Sequence, residues 1–322
     1  MRFFIGGIWL NSGRKIAEGG ALLALYCILL FITVYIPLLG FITLFFLPIP
    51  YILVTIKQKL SWAVGFLFVG LVLSLLIGTA LSLPMTMLMG VTGITIGSFL
   101  KRDKPMAPMF ISAVLIFLGG TLATYAATVV LSEVNYIEET MTILEESIDS
   151  STEIMESFGQ APTEKVIQSM HESIETLDTL LPSLFVIASM TMVLLIILAA
   201  NPILKRFSDK QLNWPRFQDL RLPKSLLWYY LITMILALFV NMDNNGFVYM
   251  AITNLFFILQ FFIMIQGYSL VFYISDVKNW AKAIPIVIVI VSLFMPIFSI
   301  IIRFLGIIDL GFPFRETIKK KE

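Results

Sequence analysis

The chain has 322 residues, of which 58% are hydrophobic and 13% charged, whereas roughly a quarter of the residues of a soluble protein are charged. This composition excludes a soluble globular protein, and the net charge of +1 gives no reason to expect a nucleic-acid partner. Because Cys27 is the only cysteine, disulfides within the chain and cysteine-built metal sites are also excluded.

Apolar runs of about 20 residues are long enough to cross a bilayer. They predict an all-α, polytopic integral membrane helix bundle with eight or nine membrane segments. A short segment at 1–16 precedes them and is predicted to lie at the membrane interface. The predicted membrane segments are 17–36, 40–56, 61–82, 84–100 and 106–131 (spans 1–5, in 17–131), 181–200 (span 6), and 226–242, 247–274 and 283–308 (the C-terminal segments, 226–308).

The first membrane segment begins with small residues at helical spacing. Ala17 and Ala21 are four residues apart, as are Gly20 and Ala24. Small residues let two helix backbones approach closely in lipid. The pattern indicates either packing within the bundle or a docking surface for another membrane protein. We interpret Glu18 as a favourable charge near a helix N-terminus and not as a catalytic residue.

The fourth segment carries a second stripe of small residues. Thr86, Gly90, Gly93 and Gly97 follow one another at helical spacing and include a G-x-x-x-G pattern. For this stripe we predict packing against a neighbouring helix of the same bundle.

Basic residues between the apolar runs set the predicted orientation. They precede the first segment and follow the second, fourth and sixth, whereas the loops at 37–39, 83 and 243–246 contain no Lys or Arg. Short loops rich in Lys and Arg stay cytoplasmic. The pattern predicts a multi-pass protein with a cytoplasmic N-terminus, an external region at 132–180 and a cytoplasmic basic linker at 201–225.

The external region at 132–180 is acidic and amphipathic. Apolar residues recur at spacings of three and four on either side of a GQAP interruption at 159–162, which is typical of packed amphipathic helices. The two stripes are Val134, Ile137, Met141, Leu144 and Ile148, and then Ile167, Met170, Ile174, Leu177 and Leu181. They predict an extracytoplasmic acidic helical hairpin, which either closes on itself or offers an arm for dimerisation or a partner.

Polar residues interrupt the long apolar run at 247–274. Asn254, Gln260 and Gln266 are spaced by six, so successive members are about 240° apart around a helix. They therefore point in different directions, which indicates a helix surrounded by protein and not one polar pore face. We interpret the amides as hydrogen-bonding groups that hold helices together. The alternative is that they line a site for a polar ligand.

The last membrane segment, 283–308, contains Pro296 and Arg303. An arginine within hydrocarbon is costly unless it has a partner, and Asp309 is a candidate partner; near an interface, Arg303 can snorkel instead. Nine crossings would place the basic tail, 309–322, outside, against the distribution of positive charge. Either this segment re-enters without crossing, or one apolar run is not a span.

The sequence contains no constellation for catalysis or metal binding. It has no G-x-x-x-x-G-K-[ST] and hence no P-loop. Its one histidine, His171, lies in the acidic hairpin, which rules out a histidine-rich metal site or a Ser-His-Asp triad within the membrane. We expect no cofactor, no metal and no enzymatic activity.

Two stretches resemble the YybS family of bacterial membrane proteins. They are AEGGALLALYCILLFITVYIPLLG at 17–40 and GIIDLGFPFRETIKKK at 306–321. The similarity in order and pattern covers nearly the whole chain after the N-terminal dozen residues. The resemblance implies a bacterial cell-membrane protein. Since the family is a domain of unknown function, it implies no established activity or catalytic residue.

The first six spans, with LPIPYILVTIKQKLSWAVGFLFVG at 47–70, also look like the substrate-binding S component of energy-coupling-factor vitamin transporters and like the cell-shape protein MreD. S components dock onto a membrane coupling subunit through an A-x-x-x-A pattern on their first helix, which Ala17 and Ala21 match. The acidic hairpin and everything after residue 200 depart from a plain S component.

Two functions agree with these patterns. The first is a transport-related or ligand-binding, S-component-like protein without its own ATPase, which takes a small-molecule ligand and a membrane partner at the first helix. The alternative is a non-enzymatic membrane scaffold or regulatory protein that recruits envelope partners, as MreD does. A closed polar cavity among the first six spans would favour the ligand, and a filled core would favour the scaffold.

Overall fold

All the regular secondary structure of the described residues is helical in a computed structural model of the chain. The structure describes residues 3–80, 82–132, 134–210, 212, 215–240 and 246–319. The ends of the predicted segments 1–16 and 309–322, part of the linker 201–225 and most of the loop 243–246 lie outside the described residues. The chain divides into an N-terminal unit (Met1–Glu139 and Phe185–Asn213) and a C-terminal unit (Thr140–Leu184 and Trp214–Glu322).

The helices follow the apolar runs of the sequence and, at 136–157, its acidic region. They are α1 (Phe3–Tyr35), α2 (Pro37–Thr43), α3 (Ile49–Lys57), α4 (Leu60–Ile77), α5 (Ser82–Lys101), α6 (Met106–Ser132), α7 (Tyr136–Ser157), α8 (Glu164–Phe207), α9 (Ser225–Ala237), α10 (Gly246–Val277), α11 (Ala283–Phe294), α12 (Pro296–Gly311) and α13 (Phe314–Lys319). In the described part of the chain, seven helical segments are long and apolar enough to cross a membrane, or eight if α11 and α12 count as one bent span. The predicted polytopic membrane bundle is confirmed.

Three helix boundaries differ from the predicted segments. The second span is broken: α2 ends at Thr43, a short 3-10 helix, Leu44–Phe46, follows, and α3 begins at Ile49, just after Pro48. Helix α1 begins at Phe3, within the segment predicted to precede the first span. Helix α8 has 44 residues, about 66 Å, and runs without interruption through the predicted boundary between hairpin and sixth span.

Aromatic side chains fill the centre of the N-terminal unit. The fully buried rings of Tyr26 and Tyr51 have centroids 5.1 Å apart, and the ring of Tyr51 is also 5.1 Å from that of Phe66. The Tyr26 hydroxyl donates to Oγ1 of Thr86 at 2.6 Å. A Cβ at Gly90 would lie 3.2 Å from the Tyr51 ring, so this glycine makes room for the aromatic side chain.

The small residues of α5 pack against the backbone of α3. A Cβ at Gly93 would lie 2.6 Å from the carbonyl oxygen of Pro48, and one at Gly97 would lie 2.8 Å from that of Ile52. Both distances are shorter than real Cβ contacts, so only glycine allows this approach. The packing predicted for this stripe is present.

Two helical stretches meet at a tight turn in the predicted hairpin. Gly159 adopts φ = 71°, a left-handed conformation that glycine takes at little cost, between α7 and α8. Of the two apolar stripes, Ile174 is buried, whereas Leu144, Met170 and Leu177 remain 38%, 42% and 41% exposed. The stripes are therefore only partly covered.

The C-terminal unit is organised around α10, which packs against α9 and α12. At the crossing of α10 and α12, a Cβ at Gly267 would lie 2.0 Å from the Ile302 carbonyl oxygen, and one at Gly306 would lie 2.1 Å from that of Ile263. Helices α11 and α12 are bent by 120° at a break beside Pro296. A proline at this position cannot donate the backbone hydrogen bond that would continue α11.

Candidate functional site

The small residues at the start of the first span lie on an exposed face of α1. Ala17, Gly20, Ala21 and Ala24 are all exposed. A Cβ added at Gly20 would have nothing within 4 Å. The described part of the N-terminal unit therefore leaves this face uncovered, in contrast to the glycines of α5.

The side chain of Asn254 joins α10 to the part of α8 around residues 179–183. Its Oδ1 accepts from the backbone N–H of Ser183 at 2.8 Å, and its Nδ2 donates to the carbonyl oxygen of Thr179 at 2.7 Å. These two backbone groups are one helical turn apart, in the turn that Pro182 weakens because it has no N–H. The amide thus satisfies a donor and an acceptor beside a proline inside a long helix.

Gln266 and Asp309 meet at the other end of α10. Gln266 is 1% exposed, and its Oε1 accepts from the backbone N–H of Leu222 at 2.9 Å. Its Nε2 donates to Asp309 Oδ2. Asn254 and Gln266 are 12 residues apart, about 18 Å along the helix, and fasten different segments to α10.

Asp309 forms a buried ion pair with Arg315. The Arg315 Nη2 atom lies 2.5 Å from Asp309 Oδ2, and Nε lies 2.8 Å from Oδ1, a bidentate arrangement. Both side chains are 3% exposed. The carboxylate therefore accepts from the guanidinium and from Gln266, and its charge is balanced within the unit.

The remaining donors of Arg315 reach the linker and α10. Nη1 donates to the carbonyl oxygen of Gln218 at 2.5 Å, and Nη2 to Oγ of Ser269 at 3.1 Å. The guanidinium carbon lies 5.1 Å from the centroid of the Tyr273 ring, a cation–π distance. One arginine thus connects the tail, the linker and α10.

The pairing predicted between Arg303 and Asp309 is wrong. Residues six apart on α12 are about 240° apart around the helix and face different ways. Arg315 can reach Asp309, because the chain leaves α12 at Phe312 and Pro313 before α13 begins. Arg303 is half-buried, and Gln260 is half-buried and joins neither amide network.

The sequence patterns did not identify Gln218 as a contact residue or Gly267 and Gly306 as a helix crossing. Arg315 appeared only within the stretch at 306–321 that resembles the family. A charged residue just after a Phe-Pro break was the available signal for Arg315. Gly267, in a long apolar helix, was a weaker signal for a close crossing.

The residues that flank the bent pair α11–α12 contact one residue of the linker. Gln218 Nε2 donates to Oδ2 of Asp276, at the end of α10, at 2.5 Å, and the Gln218 carbonyl oxygen accepts from Arg315. The residues before α11 and after α12 are therefore held at a single linker residue. Of the two alternatives left by the sequence, these contacts favour the re-entrant segment, while the bend of 120° fits either a re-entrant segment or a broken span.

A comparison with known families gives one match over most of the chain. The model of the family described as "Predicted membrane protein (DUF2232)" matches residues 24–310. The chain belongs to this family. It is also 32% identical to YybS of Bacillus subtilis over 311 residues, which cover 96% of this chain and 100% of that protein. No solved structure matches.

The family match includes Asn254, Gln266 and Asp309 but ends before Arg315, and it begins at Ala24, the last of the small residues on α1. The predicted resemblance to the YybS family is confirmed.

Proposed function

We propose that this member of the family is a non-enzymatic membrane scaffold that recruits a second membrane protein by docking one of its transmembrane helices on α1. The observation that carries the proposal is the contrast between two sets of small residues. The backbone at the start of α3 packs directly against Gly93 and Gly97, whereas a Cβ added at Gly20 would have nothing within 4 Å. Helices associate in lipid where small residues allow close approach, and the α1 face offers that surface.

The filled core favours a scaffold over a ligand carrier. A transport-related, S-component-like protein would use the same docking face and would also hold a ligand among its first six spans. Tyr26 and Tyr51 lie at the centre of these spans, both fully buried, with their rings packed edge to face. This packing supports the scaffold as the first candidate and leaves the carrier as the second.

The buried charges support a structural role. A general base needs an accessible carboxylate, whereas Asp309 accepts from Arg315 and Gln266 and is 3% exposed. Such an arrangement holds segments together. By the distribution of basic residues, the docking face begins near the cytoplasmic surface.

Photocrosslinking in cells tests the proposal. A photoreactive amino acid at Ala24, on the small-residue face, should give a discrete adduct with another membrane protein. The same amino acid at Phe68, which is 68% exposed on α4, serves as the control and should give none. Ala21→Leu should remove the adduct at position 24 without lowering the folded yield, because the described chain leaves Ala21 exposed.

Two results would refute docking on α1. One is an Ala21→Leu variant that misfolds when expressed alone, which would mean that the face packs internally. The other is equal labelling at positions 24 and 68. Saturable binding of a small molecule to the purified protein, with no adduct, would favour the carrier.

A further inference from the structure

A groove of about 540 Å³ runs between α1, α3 and α4 and borders the small-residue face of α1, because Gly20 belongs to both. Its walls include Leu22 and Leu23 of α1 and Phe66 and Val69 of α4. Ala17, Ala21 and Ala24 do not line it. Its volume is within the range of ligand-binding clefts, and it opens to the outside of the bundle.

One end of the groove is polar and carries net positive charge. Lys15, Lys57 and Glu18 line this mouth, so its lining has two ammonium groups and one carboxylate. A third ammonium lies beside it, because Lys101 Nζ donates to the carbonyl oxygens of Thr55, at 3.3 Å, and Gln58. Trp62, which is 43% exposed, adds an indole of the kind enriched at membrane interfaces.

The groove becomes apolar with depth. The lining of α1 extends from Lys15 to Leu23, a rise of about 12 Å along the helix. One leaflet of hydrocarbon is about 15 Å thick. A molecule that fits must therefore carry negative charge at the interface and an apolar chain extending into one leaflet.

We propose that this groove binds an anionic phospholipid, with the headgroup phosphate between Lys15 and Lys57 and an acyl chain along Leu23 and Phe66. Basic pockets between membrane helices on the cytoplasmic side recognise anionic headgroups. A free phosphate would use the two lysines and leave the apolar walls bare. The site shares only Gly20 with the docking face of α1, since Ala17, Ala21 and Ala24 do not line the groove.

Glycines keep the groove open. A Cβ at Gly19 or at Gly65, both lining residues, would have nothing within 4 Å. Leucine at either position therefore extends into the groove without displacing the packed core. These substitutions block the acyl-chain part of the site, whereas lysine substitutions remove the headgroup part.

The test uses the full-length protein in phosphatidylcholine nanodiscs that contain a small fraction of photoreactive lipid. Photoreactive phosphatidylglycerol should label peptides of α1 and α4 several-fold more than photoreactive phosphatidylcholine with the same acyl chains. Lys57→Gln should lower the apparent affinity about fivefold, and Lys15→Gln with Lys57→Gln about twenty-fivefold, because each lysine near an anionic surface contributes a factor of about five. Lys59→Gln, an exposed lysine outside the lining, is the matched control and should keep most of the labelling.

Gly65→Leu and Gly19→Leu should each remove labelling in α1 and α4, with Ala21→Leu, outside the lining, as the control. Equal labelling by the two lipids would overturn the proposal, as would equal losses in Lys57→Gln and Lys59→Gln. Unchanged labelling in both glycine variants would also overturn it, and so would inorganic phosphate competing away the lipid at the mouth of the groove as well as a soluble phosphatidylglycerol does.

Discussion

Arg315 connects three segments of the C-terminal unit: α12, the linker and α10. It bonds to Asp309, Gln218 and Ser269 and lies over the ring of Tyr273. Burying two charges is costly, and the cost is offset only where geometry is good and the other donors and acceptors are satisfied. Here the pairing is bidentate and Gln266 occupies a further acceptor position of the carboxylate.

Removing the arginine should therefore destabilise the C-terminal unit strongly. We expect Arg315→Met to lower the free energy of unfolding by about 3–5 kcal/mol, because it leaves the Asp309 carboxylate buried and unpaired. Adding Asp309→Leu should recover much of the loss. Arg303→Met, at a half-buried arginine outside this network, is the control. Unfolding of each variant in one detergent measures the differences, and similar losses for Arg315→Met and Arg303→Met would contradict this assignment of partners.

The sequence predicted Asp309 as half of an ion pair but not its partner. Both arginines are six residues away, and helical geometry argues against Arg303 if α12 continues through Asp309. The Phe312–Pro313 break indicates that the chain turns before Arg315. Its direction depends on Gln218 and Ser269, which are distant in sequence, and no local pattern encodes those contacts.

At the scale of elements, α8 continues past a proline that would normally end or kink a helix. Pro182 lies inside a helix of 44 residues. Proline removes one backbone hydrogen bond and crowds the preceding turn. The side chain of Asn254 supplies an acceptor for Ser183 and a donor for Thr179, and so α10 supports the weakened turn of α8.

Replacing this asparagine should weaken the joint between the two helices. Asn254→Leu leaves a buried N–H and a buried carbonyl oxygen without the amide, which costs about 1–3 kcal/mol for each unsatisfied group. We expect a lower melting temperature and faster hydrogen exchange around residues 179–183. Gln260→Leu, on the same helix and outside both amide networks, should change both quantities little. Slow exchange in the Asn254 variant would mean that α8 does not need this support.

The helical elements themselves were largely predictable, because long apolar runs have few alternatives in a membrane. The amides of α10 were interpreted as contacts between helices; Asn254 and Gln266 make such contacts between segments, whereas Gln260 joins neither network. The joined hairpin and span in α8 were not predicted, since the change from acidic to apolar sequence places a boundary between 180 and 181. Pro182 also favours a helix end there, and the contacts of Asn254 with residues 179 and 183 support the helix through it.

At the scale of the whole molecule, the number of crossings decides which ends share a side. Seven helical segments of the described chain are long and apolar enough to cross a membrane, and α9, with 13 residues, is shorter than these. We predict that α9 crosses as well and that α11–α12 re-enters, which makes eight crossings and places the tail on the side of the N-terminus. This arrangement puts Arg315 with the basic linker at 201–225, as the distribution of positive charge favours.

Cysteine labelling tests this topology directly. In a Cys27→Ala background, single cysteines replace Ser150 in the hairpin and Glu316 in the tail, both of which are exposed. An impermeant thiol reagent should label position 150 in intact cells and position 316 only after the membrane is permeabilised. A crossing by α11–α12 would expose position 316 in intact cells together with position 150. Since Gln218 holds the tail against the linker, that result would also contradict the contacts of Arg315, and labelling of 316 alone would reverse the orientation of the whole chain.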